Sequence, residues 1–211
     1  YFTLKRLGYY DYAVFELKYI YSKNNDENVK YNIALIYSKN SQYNKAINLI
    51  ENLMFNSNNY EFNLSNFPAE IKDILYPMYW YKDLIEKYSL YYNLNPLLIR
   101  ALIREESRFN FMGKSGAGAS GLMQIMPATG KWIAKRTGQM YFKPSQLYNP
   151  TVNINFGTYY LSNLLEKYNN DIIKALAAYN GGGGNVDKWI KNLKVQDIDY
   201  FVEVIPFSET K

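Results

Sequence analysis

Between Asn95 and Ser107 the apolar residues Leu97, Leu98, Ile99, Ala101, Leu102 and Ile103 cover most of a helical circumference, and only Arg100 and Arg104 mark a wet side. Such a helix belongs in a core. Asn95 is a capping residue, and Pro96 suits the first helical position, where no backbone N–H is needed. Downstream, Gly113 to Gly121 is a Gly/Ser/Ala loop, and Leu122 to Met126 is a short apolar segment stopped by Pro127. Residues Ala128 to Lys135 and Ile154 to Tyr168 read as helices. Asp171 to Tyr179 is another, capped by Asp171 or Asn170 and ended by Gly181 to Gly184, because glycine tolerates the left-handed conformation of a helix stop. Val186 to Leu193 predicts a further short helix. Upstream the pattern is helical from about Ala69, with Pro77 interrupting one helix or starting the next. No strand alternation persists, so the fold class is all-α.

The first part of the chain repeats itself. Gly8-Tyr9-Tyr10-Asp11-Tyr12-Ala13 is echoed by Ser41-Gln42-Tyr43-Asn44-Lys45-Ala46, and Leu17 by Ile50. The spacing, with a small Ala where two helices approach closely, resembles a tetratricopeptide-type helical hairpin. Two such units rarely stand alone, so this piece should pack on something else or continue before Tyr1, and it could recruit protein partners. Asn56 to Asn66, rich in Asn and Ser and followed by Pro68, reads as a loop or domain junction. The expected organisation is a TPR-like region over 1–68 and a second domain over 69–211. The chain opens at Tyr1 with no Met and no signal peptide, which reads as a fragment of a longer or processed precursor.

Composition narrows the chemistry. The 211 residues are 48% hydrophobic, enough for a proper core, and no run of eighteen apolar residues suggests a transmembrane segment. Absence of Cys excludes disulfides and thiolate chemistry. Absence of His excludes Ser–His and Cys–His pairs, HExxH sites and His-ligated zinc. No clustered acidic ligands predict a metal. The net charge of +5 favours an anionic polymer, but the basic residues form no stripe, which argues against nucleic acid.

An apolar helix that ends in two adjacent carboxylates is unusual, because burying a carboxylate costs several kcal/mol, roughly, unless it is paired or neutralised. On a helical wheel Glu105 falls in line with Leu98 and Ala101, and Glu106 between Leu102 and Ile99. Periodicity does not choose between them. The plain alternative is a surface helix end whose carboxylates pair with Arg104 or Arg108.

Four motifs then follow in order: Glu106-Ser107; Ser115 through Gly121 to Leu122-Met123-Gln124-Ile125-Met126-Pro127; Ala177-Ala178-Tyr179-Asn180-Gly181-Gly182-Gly183; and Glu203-Val204-Ile205-Pro206-Phe207-Ser208-Glu209-Thr210. From about Tyr76 to Lys211 the chain resembles the catalytic domain of the soluble lytic transglycosylases (family 1), which shares its core with goose-type lysozyme. The resemblance implies a lysozyme-like helical domain that cleaves peptidoglycan strands between N-acetylmuramic acid and N-acetylglucosamine. It implies a single acid/base carboxylate at Glu106, the Glu of the Glu-Ser pair; Glu105 sits where relatives often have Gln.

In that scheme Glu106 protonates the glycosidic oxygen, the substrate's N-acetyl group stabilises the cation, and Glu106 then takes the proton of the muramic C6 hydroxyl, closing a 1,6-anhydro ring without cofactor or water. Such a carboxyl needs a raised pKa, which an apolar pocket provides. Ser115 and Gln124 are expected to bond sugar hydroxyls or acetamido groups, Met126 to pack on a sugar edge, Tyr179 to reach Glu106 or the acetamido group, and Asn180 and Glu203 to bind substrate. Four consecutive glycines, where the family has Ala-Gly-x-Gly after Asn, should loosen that loop. The sequence stops at Lys211, before the family's Tyr-Val continuation. A peptidoglycan substrate implies a periplasmic or cell-envelope location. Two other readings are carried: a lysozyme-like hydrolase on the same fold, and a non-catalytic peptidoglycan-binding scaffold.

Overall fold

A computed structural model describes residues 1–56, 68–193, 198–203 and 205. The described residues fold as helices: α1 (Phe2–Arg6), α2 (Tyr10–Asn24), α3 (Glu27–Lys39), α4 (Tyr43–Asn56), α5 (Ala69–Leu75), α6 (Lys82–Tyr91), α7 (Pro96–Ser107), α8 (Pro127–Arg136), α9 (Pro150–Lys167), α10 (Ile172–Gly181), α11 (Gly183–Leu193) and α12 (Ile198–Glu203). A 3₁₀ turn, Pro144–Tyr148, precedes α9. Extended pairing among these residues is limited to isolated bridges from Ser120 to Lys114 and to Ile125. The all-α expectation therefore holds, and the junction expected at 56–66 lies, apart from Asn56 at the end of α4, outside the described residues.

The repeat in the first part falls at equivalent places. Tyr10 and Tyr43 each open a helix, and Ala13, Leu17, Ala46 and Ile50 are all buried. Ala13, Val14 and Leu17 of α2 form a small core with Ile33 and Ile36 of α3. On the other side, Ala34 of α3 and Ala46, Ile47 and Ile50 of α4 join the main core, which also holds Ile85, Ile99, Ile103, Phe109, Leu122, Met123, Phe156 and Ala178. Burial of such side chains, worth about 1.5–3 kcal/mol each, binds α3 and α4 to the helices that follow. Tyr43 of α4 extends this contact, stacking on Trp80 with ring centroids 3.9 Å apart.

Helix starts match their expected caps. Asn95 accepts from Leu97 N at 2.8 Å with Pro96 behind it, and Asp171, rather than Asn170, caps α10 by accepting from Lys174 N. Three expectations are corrected. Arg100 and Arg104 do not mark a wet side. Arg100 is 7% exposed and donates from Nη1 to the carbonyls of Pro77 (2.9 Å) and Trp80 (3.1 Å), and half-buried Arg104 donates to Leu75 O at 2.6 Å. Long cationic side chains can be buried when they satisfy carbonyls that a broken helix leaves open, here the segment between α5 and α6. Second, Pro127 does not merely stop a segment: it is the first residue of α8, with Met126 at the cap position. Third, Gly181 to Gly184 is not an open stop. Only Gly182 separates α10 from α11, with φ +84° at the turn.

Candidate active site

The C-terminus of α7 is placed by the residues that follow it. Arg108 and Phe109 both take positive φ (48° and 60°), a conformation that costs non-glycine residues roughly 1–2 kcal/mol each. Phe109 offsets this by being buried, edge-on to Trp80 at 5.4 Å and parallel to Tyr81 at 6.5 Å. The chain therefore reverses immediately after Glu106-Ser107. Ser107 Oγ donates to Leu122 O at 2.7 Å, which ties the helix end to the Gly-rich loop and gives the Glu-Ser pair a structural reason.

The tie between the two carboxylates is broken by packing. Glu105 is exposed, whereas Glu106 is largely covered. Burial, and then the neighbouring charge of Glu105, push the Glu106 carboxyl up from 4.5 to about 7. Arg104 and Arg108 do not pair with either carboxylate; both bond Glu51 of α4.

The loop opposite Glu106 is closed by its own hydrogen bonds. Ser115 N donates to Ala119 O and Ser115 Oγ accepts from Ala119 N, both at 3.0 Å. Gln124, itself at φ 45°, gives its amide N–H groups to Gly121 O (2.7 Å) and Gly113 O (3.3 Å). Both expected sugar-binding side chains thus hold the loop in shape. Ser115 keeps its hydroxyl proton, and Gln124 its side-chain carbonyl, for a further partner. Met126, 40% exposed, stands at the start of α8.

Tyr179 of α10 joins the loop to the carboxylate. Its hydroxyl donates to Met123 O at 2.8 Å. Burial raises its own pKa well above 10, and the charge of Glu106 acts in the same direction, as Tyr160 does to a lesser degree. Tyr160 of α9 packs on Tyr179 with centroids 5.4 Å apart. Asn180, next in sequence, is exposed near the end of α10. Glu203 is exposed at the last position of α12, beside buried Phe201 and Ile205. The closing Glu209-Thr210 of the fourth motif lies outside the described residues.

Sequence reasoning missed the residue that anchors the whole arrangement. Asn153 of α9, fully buried, accepts from Met123 N at 2.7 Å and donates to Ser120 O (2.8 Å) and Leu147 O (2.7 Å). Each polar atom of its side chain is used, which is the condition for burying an amide without penalty. Two glycines make room. A side chain on Gly121 would overlap Asn153 Nδ2 and Leu147 O, and one on Gly157 would overlap Met123. A signal was present: Asn153, Gly157, Tyr160 and Leu164 recur at helical spacing, so an Asn and a Gly interrupt the apolar face of α9.

Among the described residues no group of three or more acidic side chains could hold a metal ion, and no helix is long and apolar enough to cross a membrane.

Comparison with known proteins places this geometry. Residues 83–202 match the family described as Transglycosylase SLT domain. The soluble lytic murein transglycosylase of Salmonella typhimurium is 43% identical over 133 residues, which are 62% of this chain and 21% of that protein. An inactive mutant of the lytic transglycosylase Slt from Pseudomonas aeruginosa superposes with a TM-score of 0.74 at 30% identity, covering 91% of this chain and 29% of that one. The 70 kDa soluble lytic transglycosylase from Escherichia coli gives 0.70 at 30% identity, covering 93% and 32%. The chain thus spans about a fifth of the length of the soluble lytic murein transglycosylases of Salmonella typhimurium and Escherichia coli. With the family match covering more than half of its length, the chain belongs to the transglycosylase SLT domain family.

Proposed function

We propose that this chain is a peptidoglycan lytic transglycosylase that cleaves the β-1,4 bond between N-acetylmuramic acid and N-acetylglucosamine and leaves 1,6-anhydro-muramic ends, with Glu106 as its single acid and base. The observation that carries the reading is the Glu106 carboxyl, held near pKa 7 by burial beside Tyr179 in a chain of this family.

The chemistry follows from that proton. A glycosidic oxygen is a poor leaving group and needs a donor. A carboxyl of pKa about 7 is roughly half protonated at neutral pH, and after donation it is a base strong enough to accept a proton from a hydroxyl moving into bonding range. Glu105 is the other carboxylate beside it, and it is exposed to solvent. The second carboxylate of ordinary glycosidases has no counterpart in this scheme. The substrate's own acetamido oxygen takes that role, and the C6 hydroxyl replaces water as the nucleophile. Tyr179, its hydroxyl proton committed to Met123 O, offers an oxygen lone pair to a protonated Glu106 or to the acetamido N–H. Ser115 and the Gln124 carbonyl face substrate from a fixed loop, Met126 packs on the sugar, and Asn180 and Glu203 extend the contacts.

Such a substrate places the working enzyme in the periplasm or cell envelope. The helices of residues 1–56 remain candidates for protein contacts. The test is the product. Mass spectrometry of digested peptidoglycan should show anhydro-muramic ends, and finding only hydrated reducing ends would instead establish the lysozyme-like hydrolase.

A further inference from the structure

A second cleft, lined by none of the residues described around Glu106, lies at the C-terminal end of α6. It encloses about 650 Å³ between the C-terminal ends of α6 and α8 and the middle of α9, and its walls are formed chiefly by Lys87, Tyr88, Tyr91, Tyr92, Arg136 and Tyr159. Three kinds of group converge there. The tyrosines supply flat apolar faces, with Tyr91 76% exposed and Tyr92 set edge-on to both Tyr91 and Tyr159 at 4.8 and 5.6 Å. Thr137, Gln139 and Asn155 supply neutral hydrogen-bonding groups, and Asn155 already accepts from Tyr92 Oη at 2.7 Å. Lys87 and Arg136 supply positive charge, and no Asp or Glu belongs to the lining.

Aromatic faces with hydroxyl-binding amides suit a sugar ring, since each ring presents a C–H face and an edge of hydroxyls. Two cations with no acid in the same lining favour a glycan polymer that carries carboxylate groups. The cleft is also connected to the Glu106 site. Trp132 of α8, 39% exposed, touches Tyr159 at 6.3 Å and Tyr160 at 6.1 Å, and Tyr160 packs on Tyr179. Arg136 sits over Trp132 at 4.4 Å, which orients the guanidinium at the rim. In sequence the cleft residue Tyr92 comes three positions before Asn95, and from Asn95 to Glu106 the eleven helical steps of α7 rise roughly 16 Å. A polymer several sugars long can reach both places, and a short fragment cannot.

We propose that this cleft is a second binding site for a carboxylate-bearing glycan strand, engaged by the same polymer that occupies the Glu106 site. The choice of polymer rests on the transglycosylase reading above. The consequence is avidity: contact at the cleft raises the local concentration of the strand at Glu106 and favours long strands over short ones.

The experiment uses the full chain in two forms. In the Glu106→Gln background, binding to insoluble peptidoglycan sacculi is measured with and without Tyr91→Ser plus Arg136→Gln, two exposed substitutions. Binding should weaken about tenfold or more, and neutral chitin of equal chain length should bind less well and respond little to Arg136→Gln. In the active form, the same double substitution should lower kcat/KM on long strands by a similar factor while turnover of a tetrasaccharide fragment stays within about twofold. Equal loss on long and short substrates, or unchanged sacculus binding, overturns the second site. Equal response with chitin overturns the carboxylate preference. If the unsubstituted chain cleaves neither substrate, the transglycosylase reading fails, while the binding arm still decides whether the cleft holds glycan.

Discussion

Glu51 of α4 accepts from Arg104 Nη2 at 2.9 Å through one carboxylate oxygen and from Arg108 Nε at 3.2 Å through the other, so one acid from the N-terminal helices holds the two cations that bracket Glu106 in sequence. Glu51 therefore keeps from Glu106 the counter-charges that would otherwise hold its pKa low. Glu51→Ala should cost about 1–3 kcal/mol, since it leaves the half-buried Arg104 partly unpaired. It should also move the alkaline limb of the pH–rate profile toward lower pH, as freed Arg108 turns toward the carboxylates. Thermal unfolding and pH–rate profiles of Glu51→Ala and Glu51→Asp check both, and an unmoved limb would show that the clamp acts on stability alone.

Glu106→Gln should reduce turnover by about 10²–10⁴-fold, the usual worth of general acid/base help. The wild-type rate should fall as pH rises through about 7, where Glu106 loses the proton it must donate. Activity assays from pH 5 to 9 measure this.

The same shift carries a stability sign. The folded-state pKa of Glu106 is raised above its unfolded value of 4.5, so the folded state binds the proton more tightly. Its neutral form is favourable at low pH, and stability is lost as pH rises from about 4.5 to about 7, where the buried anion forms. Glu106→Gln removes that loss. The variant should gain on the order of 3 kcal/mol over wild type at pH 8, with the gap closing below pH 4.5, as read from denaturant midpoints.

Asn153→Ala should be among the most damaging changes outside the carboxylate, because it takes from Met123 N and Leu147 O their buried side-chain partner and from Ser120 O one of its two donors, the other being Ile125 N. An estimate of about 2–4 kcal/mol follows from one cavity and unpaired groups at 1–3 kcal/mol each, partly relaxed. Asn153→Asp keeps the acceptor for Met123 N and loses both donors, so it should not rescue. Calorimetric midpoints of the two variants decide this.

Tyr179→Phe removes the hydroxyl donor to Met123 O, a group of α10 that feels the charge of Glu106. Turnover should drop by roughly 10–100-fold, more than the accompanying stability loss of about 1 kcal/mol accounts for. A fall in kcat with KM little changed is the expected signature. A change in KM alone would assign Tyr179 to substrate binding.

Much of this protein was fixed by local sequence. Helices were legible because apolar spacing, Asn95-Pro96 and Asp171 are local instructions that act within one turn. The family was legible through the Glu-Ser pair and the ordered motifs, which single out Glu106 as the candidate carboxylate. What the local pattern could not decide were relationships between distant segments. Arg100 and Arg104 read as a wet face because periodicity records polarity and not the carbonyls of Pro77, Trp80 and Leu75 that wait for them. The glycine run read as a loose loop because composition does not reveal that one residue, Gly182, suffices for the turn. Glu105 and Glu106 were equivalent on the helical wheel. Only the tertiary structure, by turning the chain back at Phe109 and setting Tyr179 and the 113–126 loop over one side of α7, covered one carboxyl and left the other in water. Burial is a property of what packs against a residue, and for Glu106 those partners lie 16 to 73 positions away in the chain, at Leu122 through Ser107 and at Tyr179.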